Sequence, residues 1–179
     1  MHGPAMSGWL LVALCGATGA YCLARTRSCS GEARSTAGGE ALMGLGMAAM
    51  AVPAAVLALP RWAWLGYAVV FGAAALFALR GAVRSSHHRH HLVGSLAMVY
   101  MAVAMTSGGG QGGHAAAGVP LLTGALLVYY GAYVLRSGAR LLPQAAVAGT
   151  PATVARQPEL APACRLAMGI GMLAMLLTL

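Results

Sequence analysis

Apolar residues fill six segments of this 179-residue chain, and polar residues stand mainly between them. Each segment approaches the ~20 residues that a helix needs to cross a bilayer. The segments cover residues 4–23, 40–59, 62–79, 90–106, 119–135 and 163–179. The pattern therefore predicts an all-α polytopic membrane helix bundle, with residues 1–179 forming one six-helix transmembrane domain.

The stretches between the segments are expected to be connections. Residues 24–39 separate the first two segments, and a linker over residues 136–162, which holds four prolines, precedes the last. Prolines at this density predict little regular structure in the linker. Pro53 is expected to kink the outer half of the second segment, because proline removes a backbone donor.

Composition supports a membrane class. Hydrophobic residues make up 59% of the chain and charged residues only 8%, against about 25% in soluble domains. The formal net charge is +8, but the arginines stand between apolar segments. We therefore interpret the charge as an orientation signal with affinity for anionic lipid, and expect no nucleic-acid partner.

The arginines predict one orientation. With both termini outside, every arginine except Arg61 falls on the cytoplasmic side, as the positive-inside rule requires. Trp9, Trp62 and Trp64 then lie at the outer interface. The first segment lacks a basic flank before it, so we expect it to stay in place as a helix. The predicted location is the bacterial inner (cytoplasmic) membrane, with multiple passes.

Methionines concentrate in three of the segments, where each methionine stripe begins with a polar ligand-type residue. The stripes are Glu40, Met43, Met47 and Met50; His91, Met98, Met101 and Met105, with His87 one turn earlier; and Cys164, Met168, Met172 and Met175. Ideal helical rotation places each stripe within an arc of about 80°. Thioethers and thiolates select Cu(I), and imidazole suits copper or zinc.

The stripes therefore define a candidate metal site for Cu(I), the one cofactor that the pattern suggests. Its predicted ligands are Glu40, Met43, Met47, Met50, His87, His91, Met98, Met101, Met105, Cys164, Met168 and Met172. Cys22 and Cys29 are expected near the polar, cytoplasmic end. A b-type haem is disfavoured, since no other span offers a histidine facing His91.

Two other interpretations remain open. Methionine at helical spacing also fills gaps between helices that are rich in Ala and Gly, and Cys15 in mid-span is interpreted as a packing residue. The histidines at 87, 88, 90 and 91 also fit an interfacial cluster that contacts lipid headgroups or titrates near neutral pH.

Common catalytic motifs are missing from the sequence. It has no P-loop, no G-x-S-x-G, no H-E-x-x-H and no Asp. We therefore expect no enzyme. Two functions remain: a protein that binds or passes a soft metal ion, or a non-catalytic accessory subunit whose methionines only pack. The expected partners are the lipid bilayer and either a second copy of the chain or a membrane-complex protein.

Four stretches carry a resemblance to a known family. They are "MHGP", "GEALMGLGMAAMAVP", "HHLVGSLAMVYM" and "ACRLAMGIGMLAMLLTL". Together they resemble the actinobacterial integral-membrane family named domain-of-unknown-function family 5134. The resemblance covers essentially the whole chain and implies a multi-spanning bacterial membrane protein. It implies no activity and no site residues.

Overall fold

A computed structural model describes residues 3–52, 56, 59–82, 86–107, 119–147 and 157–178. These residues form six α-helices and no strand. The helices are α1 (Gly3–Thr26), α2 (Gly31–Ala51), α3 (Arg61–Ala82), α4 (Ser86–Ser107), α5 (Pro120–Val147) and α6 (Gln157–Leu176). The predicted all-α class is confirmed.

Several predicted boundaries are wrong, because helices continue into polar sequence. α2 begins at Gly31 rather than Glu40. The linker expected to have little regular structure is helical in its first part, where α5 continues to Val147, and again where α6 begins at Gln157. Arg, Ala, Leu and Glu are good helix formers whether or not they face lipid. Glu32 lies in the first turn of α2, where a carboxylate is favoured by the helix dipole. Polarity alone was therefore a poor guide to helix ends.

The predicted kink at Pro53 falls outside the described residues. α2 ends at Ala51 and Val52 is a bend. A proline disfavours the helical conformation of the residue before it. The proline that follows Val52 in the sequence thus accounts for the end of α2 at Ala51.

A short turn joins α1 to α2. Arg27 N donates to Ala24 O at 3.1 Å and Ser28 N donates to Arg25 O at 3.0 Å, which closes the end of α1. Gly31 then has a φ of 58°, a left-handed value that glycine adopts without the steric cost of a Cβ. The chain can thus reverse over a few residues and lay α2 along α1.

Two helices in the described part of the chain are long and apolar enough to cross a membrane. They are the segments Met6–Thr26 in α1 and Arg61–Arg80 in α3. The apolar part of α6, Ala161–Leu176, is shorter. These helices support a membrane association, and the six-span topology stays a prediction.

The chain divides into two compact units, which are described separately. Unit 1 comprises residues 1–51 and 125–178, with α1, α2, most of α5 and α6. Unit 2 comprises residues 52–124 and residue 179, with α3, α4 and the start of α5. The methionine stripes of α2 and α6 therefore share unit 1, and the stripe of α4 belongs to unit 2.

Close contact between two glycines defines the packing of α1 on α2 in unit 1. A Cβ built on Gly44 would lie 2.8 Å from the Gly19 Cα, which is shorter than any real Cβ contact. Small residues let helix backbones approach in this way, and the approach increases dispersion contacts where no water drives association. The pair sets the distance between α1 and α2.

In unit 2, α3 packs against α4. Phe71 on α3 and Met98 on α4 are buried, and Tyr67 stacks on Phe71 with a centroid distance of 4.7 Å. The Tyr100 hydroxyl on α4 is 2.7 Å from the Thr123 hydroxyl at the start of α5. This hydrogen bond ties the C-terminal half of α4 to the start of α5.

Candidate functional site

Glu40 is buried in the middle of α2, with 1% of its surface exposed. The Arg165 Nε on α6 donates a hydrogen bond to its Oε1 at 2.5 Å. The Arg25 Nη1 on α1 lies 3.8 Å from Oε2. The sequence had suggested that Glu40 begins a helix, but Glu40 lies within α2. Its carboxylate forms ion pairs with arginines of two other helices, α1 and α6.

The positive charge around Glu40 exceeds the negative charge. Two guanidinium groups share one carboxylate, and Arg25 Nη1 is buried without a hydrogen-bond partner among the described residues. A carboxylate that already faces two cations, with one positive charge in excess, has little attraction left for a third cation. These ion pairs therefore compete with the predicted role of Glu40 as a metal ligand.

Two thiols adjoin the carboxylate. The Cys22 Sγ on α1 donates to Glu40 Oε2 at 3.7 Å. Cys164 on α6 is within side-chain hydrogen-bonding reach of Cys22 and also interacts electrostatically with Glu40 and Arg25. We call Cys22, Arg25, Glu40, Cys164 and Arg165 the polar cluster. In this cluster the predicted ligand Cys164 lies next to Cys22. The sequence had predicted only that Cys22 lies near the polar end of the stripes.

Methionines of α2 and α6 line the interior of unit 1. Met43, Met47, Met168 and Met172 are all buried. A Cβ built on Gly171 of α6 would lie 3.0 Å from the Cys15 Sγ and 3.7 Å from the Met47 Sδ. A thiol and a thioether thus converge on the space that Gly171 leaves open, and we call Cys15 and Met47 the Gly171 sulfur pair.

Sequence reasoning missed Cys15 as a neighbour of the methionines. Cys15, Gly19 and Cys22 are spaced by four and three residues, so they share one face of α1. Cys15 and Cys22 are buried and Gly19 contacts Gly44. The spacing therefore indicated that this face of α1 packs against another helix. It did not identify which atoms contact Cys15.

The other predicted ligands differ in burial and do not all lie in unit 1. Met50 is half-buried at the end of α2, and Met105 is 47% exposed. Met98 and Met101 are buried in unit 2, His91 is half-buried there, and the His87 side chain lies outside the described residues. The meeting of all three stripes thus stays a prediction.

Histidine, cysteine and carboxylate side chains do not form a three-ligand metal site in the described residues. No group of three or more His, Cys, Asp or Glu side chains stands close enough to hold a metal ion within those parts of the chain. Any metal site in unit 1 would therefore need methionine thioethers or a pair of thiols. Both donor types are soft.

Comparison with known proteins identifies one family. A family model described as a domain of unknown function, DUF5134, matches residues 32–179. No curated protein matches the chain, and no solved structure matches it.

Proposed function

The chain belongs to the DUF5134 family, and we propose that it is a bacterial inner-membrane protein that binds or passes a soft metal ion, Cu(I). The observation that carries the proposal is the convergence of Cys15 Sγ and Met47 Sδ at Gly171. The other buried methionines of α2 and α6 supply further thioethers in the same unit. The protein performs no catalysis in this scheme.

Exposed apolar side chains support a membrane location for the whole chain. Each helix presents large aliphatic or aromatic residues outward, with Leu121 on α5 as the extreme at 86% exposure. The described interior holds mainly alanine, methionine and cysteine, together with Glu40 and a few large residues such as Phe71 and Tyr130. Soluble proteins rarely expose apolar patches of this extent, whereas helices in lipid bury small and polar residues against each other. This distribution supports the proposal of multiple passes.

The proposed orientation places both termini outside. The turn between α1 and α2 then lies in the cytoplasm with Arg25, Arg27 and Arg34. Cys29 in this turn is half-buried and free, so it reports the orientation. An impermeant thiol reagent added to intact cells should leave Cys29 unlabelled until the membrane is opened. Labelling of intact cells would reverse the orientation.

The donor chemistry favours Cu(I) over hard cations. Thioether sulfur is soft, uncharged and needs no deprotonation, so methionines can exchange an ion without moving a proton. Burial in unit 1 excludes water that would compete for the ion. A chain of such donors between α2 and α6 is therefore suited to holding or passing Cu(I) rather than to trapping it.

Copper loading tests the proposal. Purified protein in detergent is loaded with Cu(I) under reducing, oxygen-free conditions, washed, and its copper per chain is measured. Met47→Leu combined with Met172→Leu should reduce bound copper, because leucine keeps the volume but removes the sulfur. Met6→Leu is the matched control, since Met6 is exposed on α1. A wild-type protein without copper, or a double variant that binds as well as wild type, would overturn the proposal.

A second function is favoured by the ion pairs of Glu40. A carboxylate held by arginines from two other helices is an arrangement that orders a helix bundle. In this alternative the protein is a non-catalytic structural or accessory subunit, its methionines pack, and its exposed apolar faces meet lipid, a second copy or a membrane-complex partner. The copper measurement separates the two functions.

A further inference from the structure

The polar cluster contains two thiols, Cys22 and Cys164, that do not belong to the Gly171 sulfur pair. Cys22 on α1 and Cys164 on α6 are free, adjacent and close to both Arg25 and Glu40. We propose that Cys22 and Cys164 form a two-thiolate site for a soft monovalent metal ion, with Glu40 passing the Cys22 proton on to solvent. The inference rests on the proposed function and assigns a second, tighter site within it.

The charges of the cluster fit such a complex. Arg25 and Arg165 contribute two positive charges and Glu40 one negative charge, which leaves one positive charge in excess. Two thiolates around one monovalent metal ion carry one net negative charge. Binding would therefore neutralise the cluster, and buried charges are stable only when they are paired in this way.

The step is a ligand exchange without a redox change. Two S–H bonds break, two metal–sulfur bonds form, and Cu(I) stays Cu(I). The Cys22 proton leaves along the existing hydrogen bond to Glu40 Oε2, at 3.7 Å, and passes on to solvent; the Cys164 proton leaves from the half-buried side of the cluster. Both protons are released, because metal binding requires thiolates.

The Gly171 sulfur pair and the Cys22–Cys164 site lie at different heights along α1. Cys15 and Cys22 are two helical turns apart on α1, a rise of about 10 Å. The Gly171 sulfur pair contains one thiol and can release at most one proton per ion. The Cys22–Cys164 site releases two, so the proton count distinguishes the sites without any substitution.

Proton release on the wild-type protein is the first test. Cu(I) is titrated into detergent-purified, reduced protein in weak buffer with a pH indicator, and the protons released by the first bound ion are counted. Two protons are expected. One proton or none, with copper bound, would overturn the two-thiolate site and leave the proposed function standing. An absence of bound copper would overturn both.

Substitution provides the second test. Cu(I) affinity is measured by competition with a chromophoric chelator. Cys22→Ser and Cys164→Ser should each lower it by more than about tenfold, since even the loss of a group that only supports a ligand costs 10–100-fold. The Cu(I) affinity of the double variant should equal that of the single variants, because each single substitution already destroys the two-thiolate site. Cys29→Ser is the matched control; wild-type affinity in Cys22→Ser would contradict the assignment.

Discussion

Arg165 on α6 donates a hydrogen bond from Nε to the Oε1 of Glu40 on α2, with the two atoms 2.5 Å apart. Glu40 is buried, whereas about a third of the Arg165 side chain remains exposed. The two partners therefore differ in what they lose when the bond is broken. Arg165 can turn to solvent or headgroups, but the carboxylate cannot.

Glu40→Gln should destabilise the protein by about 2 kcal/mol, the value of a hydrogen bond to a charged group. The substitution keeps the shape and removes the charge that holds Arg165 and Arg25. Thermal unfolding in detergent measures the effect. Glu32→Gln is the control, because Glu32 is exposed in the first turn of α2 and should cost at most about 1 kcal/mol. Equal losses would show that Glu40 contributes no more than a surface charge.

Gly44→Ala should separate α1 from α2. Its new Cβ would lie 2.8 Å from the Gly19 Cα, and backbone atoms cannot give way as a side chain can. We expect a loss of about 1–3 kcal/mol in unfolding free energy, as for other overpacked sites. Gly38→Ala on the same helix has open space around it and should instead stabilise α2 by up to about 1 kcal/mol. Equal effects would rule out the close contact.

Gly171→Ala should weaken copper binding without removing a ligand. The added methyl group would occupy the space between Cys15 Sγ and Met47 Sδ, at 3.0 and 3.7 Å. In the Cys22→Ser background, which removes the two-thiolate site, we expect a loss of about tenfold in Cu(I) affinity, comparable to the disturbance of a group around a metal site. Gly131→Ala on α5 is the control, since no atom lies within 4 Å of its built Cβ. Unchanged affinity in Gly171→Ala would place the metal elsewhere.

Tyr100→Phe should lower the stability by about 1 kcal/mol, the typical net value of a neutral hydrogen bond. The variant removes the hydroxyl that is 2.7 Å from Thr123. Thr123→Val removes the other partner. In a double-mutant cycle the two losses should not add, because both variants remove one shared interaction. Additive losses would show that the two hydroxyls do not interact.

The sequence predicted the number and class of the helices better than their ends. Long apolar segments identify helices by length, but Arg, Ala and Glu continue a helix beyond the apolar part, as in residues 31–39 of α2. The end of α2 at Ala51 could have been predicted from the sequence. A proline at position 53 disfavours the helical conformation at Val52, and this effect is local.

The polar cluster could be predicted only in part. Glu40 and Cys164 were recognised as candidate ligands because each begins a methionine stripe. Their contacts with Arg165, Arg25 and Cys22 depend on which helices are neighbours, and helical spacing carries no information about that. The arginines in particular were interpreted only as orientation signals. Arg25 and Arg165 also have a structural partner, which changes what their substitution would do.

The ion pair between Arg165 and Glu40 also constrains the order of assembly. The two residues are 125 positions apart, so during synthesis from the N-terminus α2 is complete long before α6 exists. In that interval Arg25, from the preceding helix, is the near countercharge available to Glu40. The α1–α2 hairpin can therefore form early with its carboxylate partly neutralised. The arrival of α6 then completes the pairing, because it supplies Arg165 to the other carboxylate oxygen of Glu40.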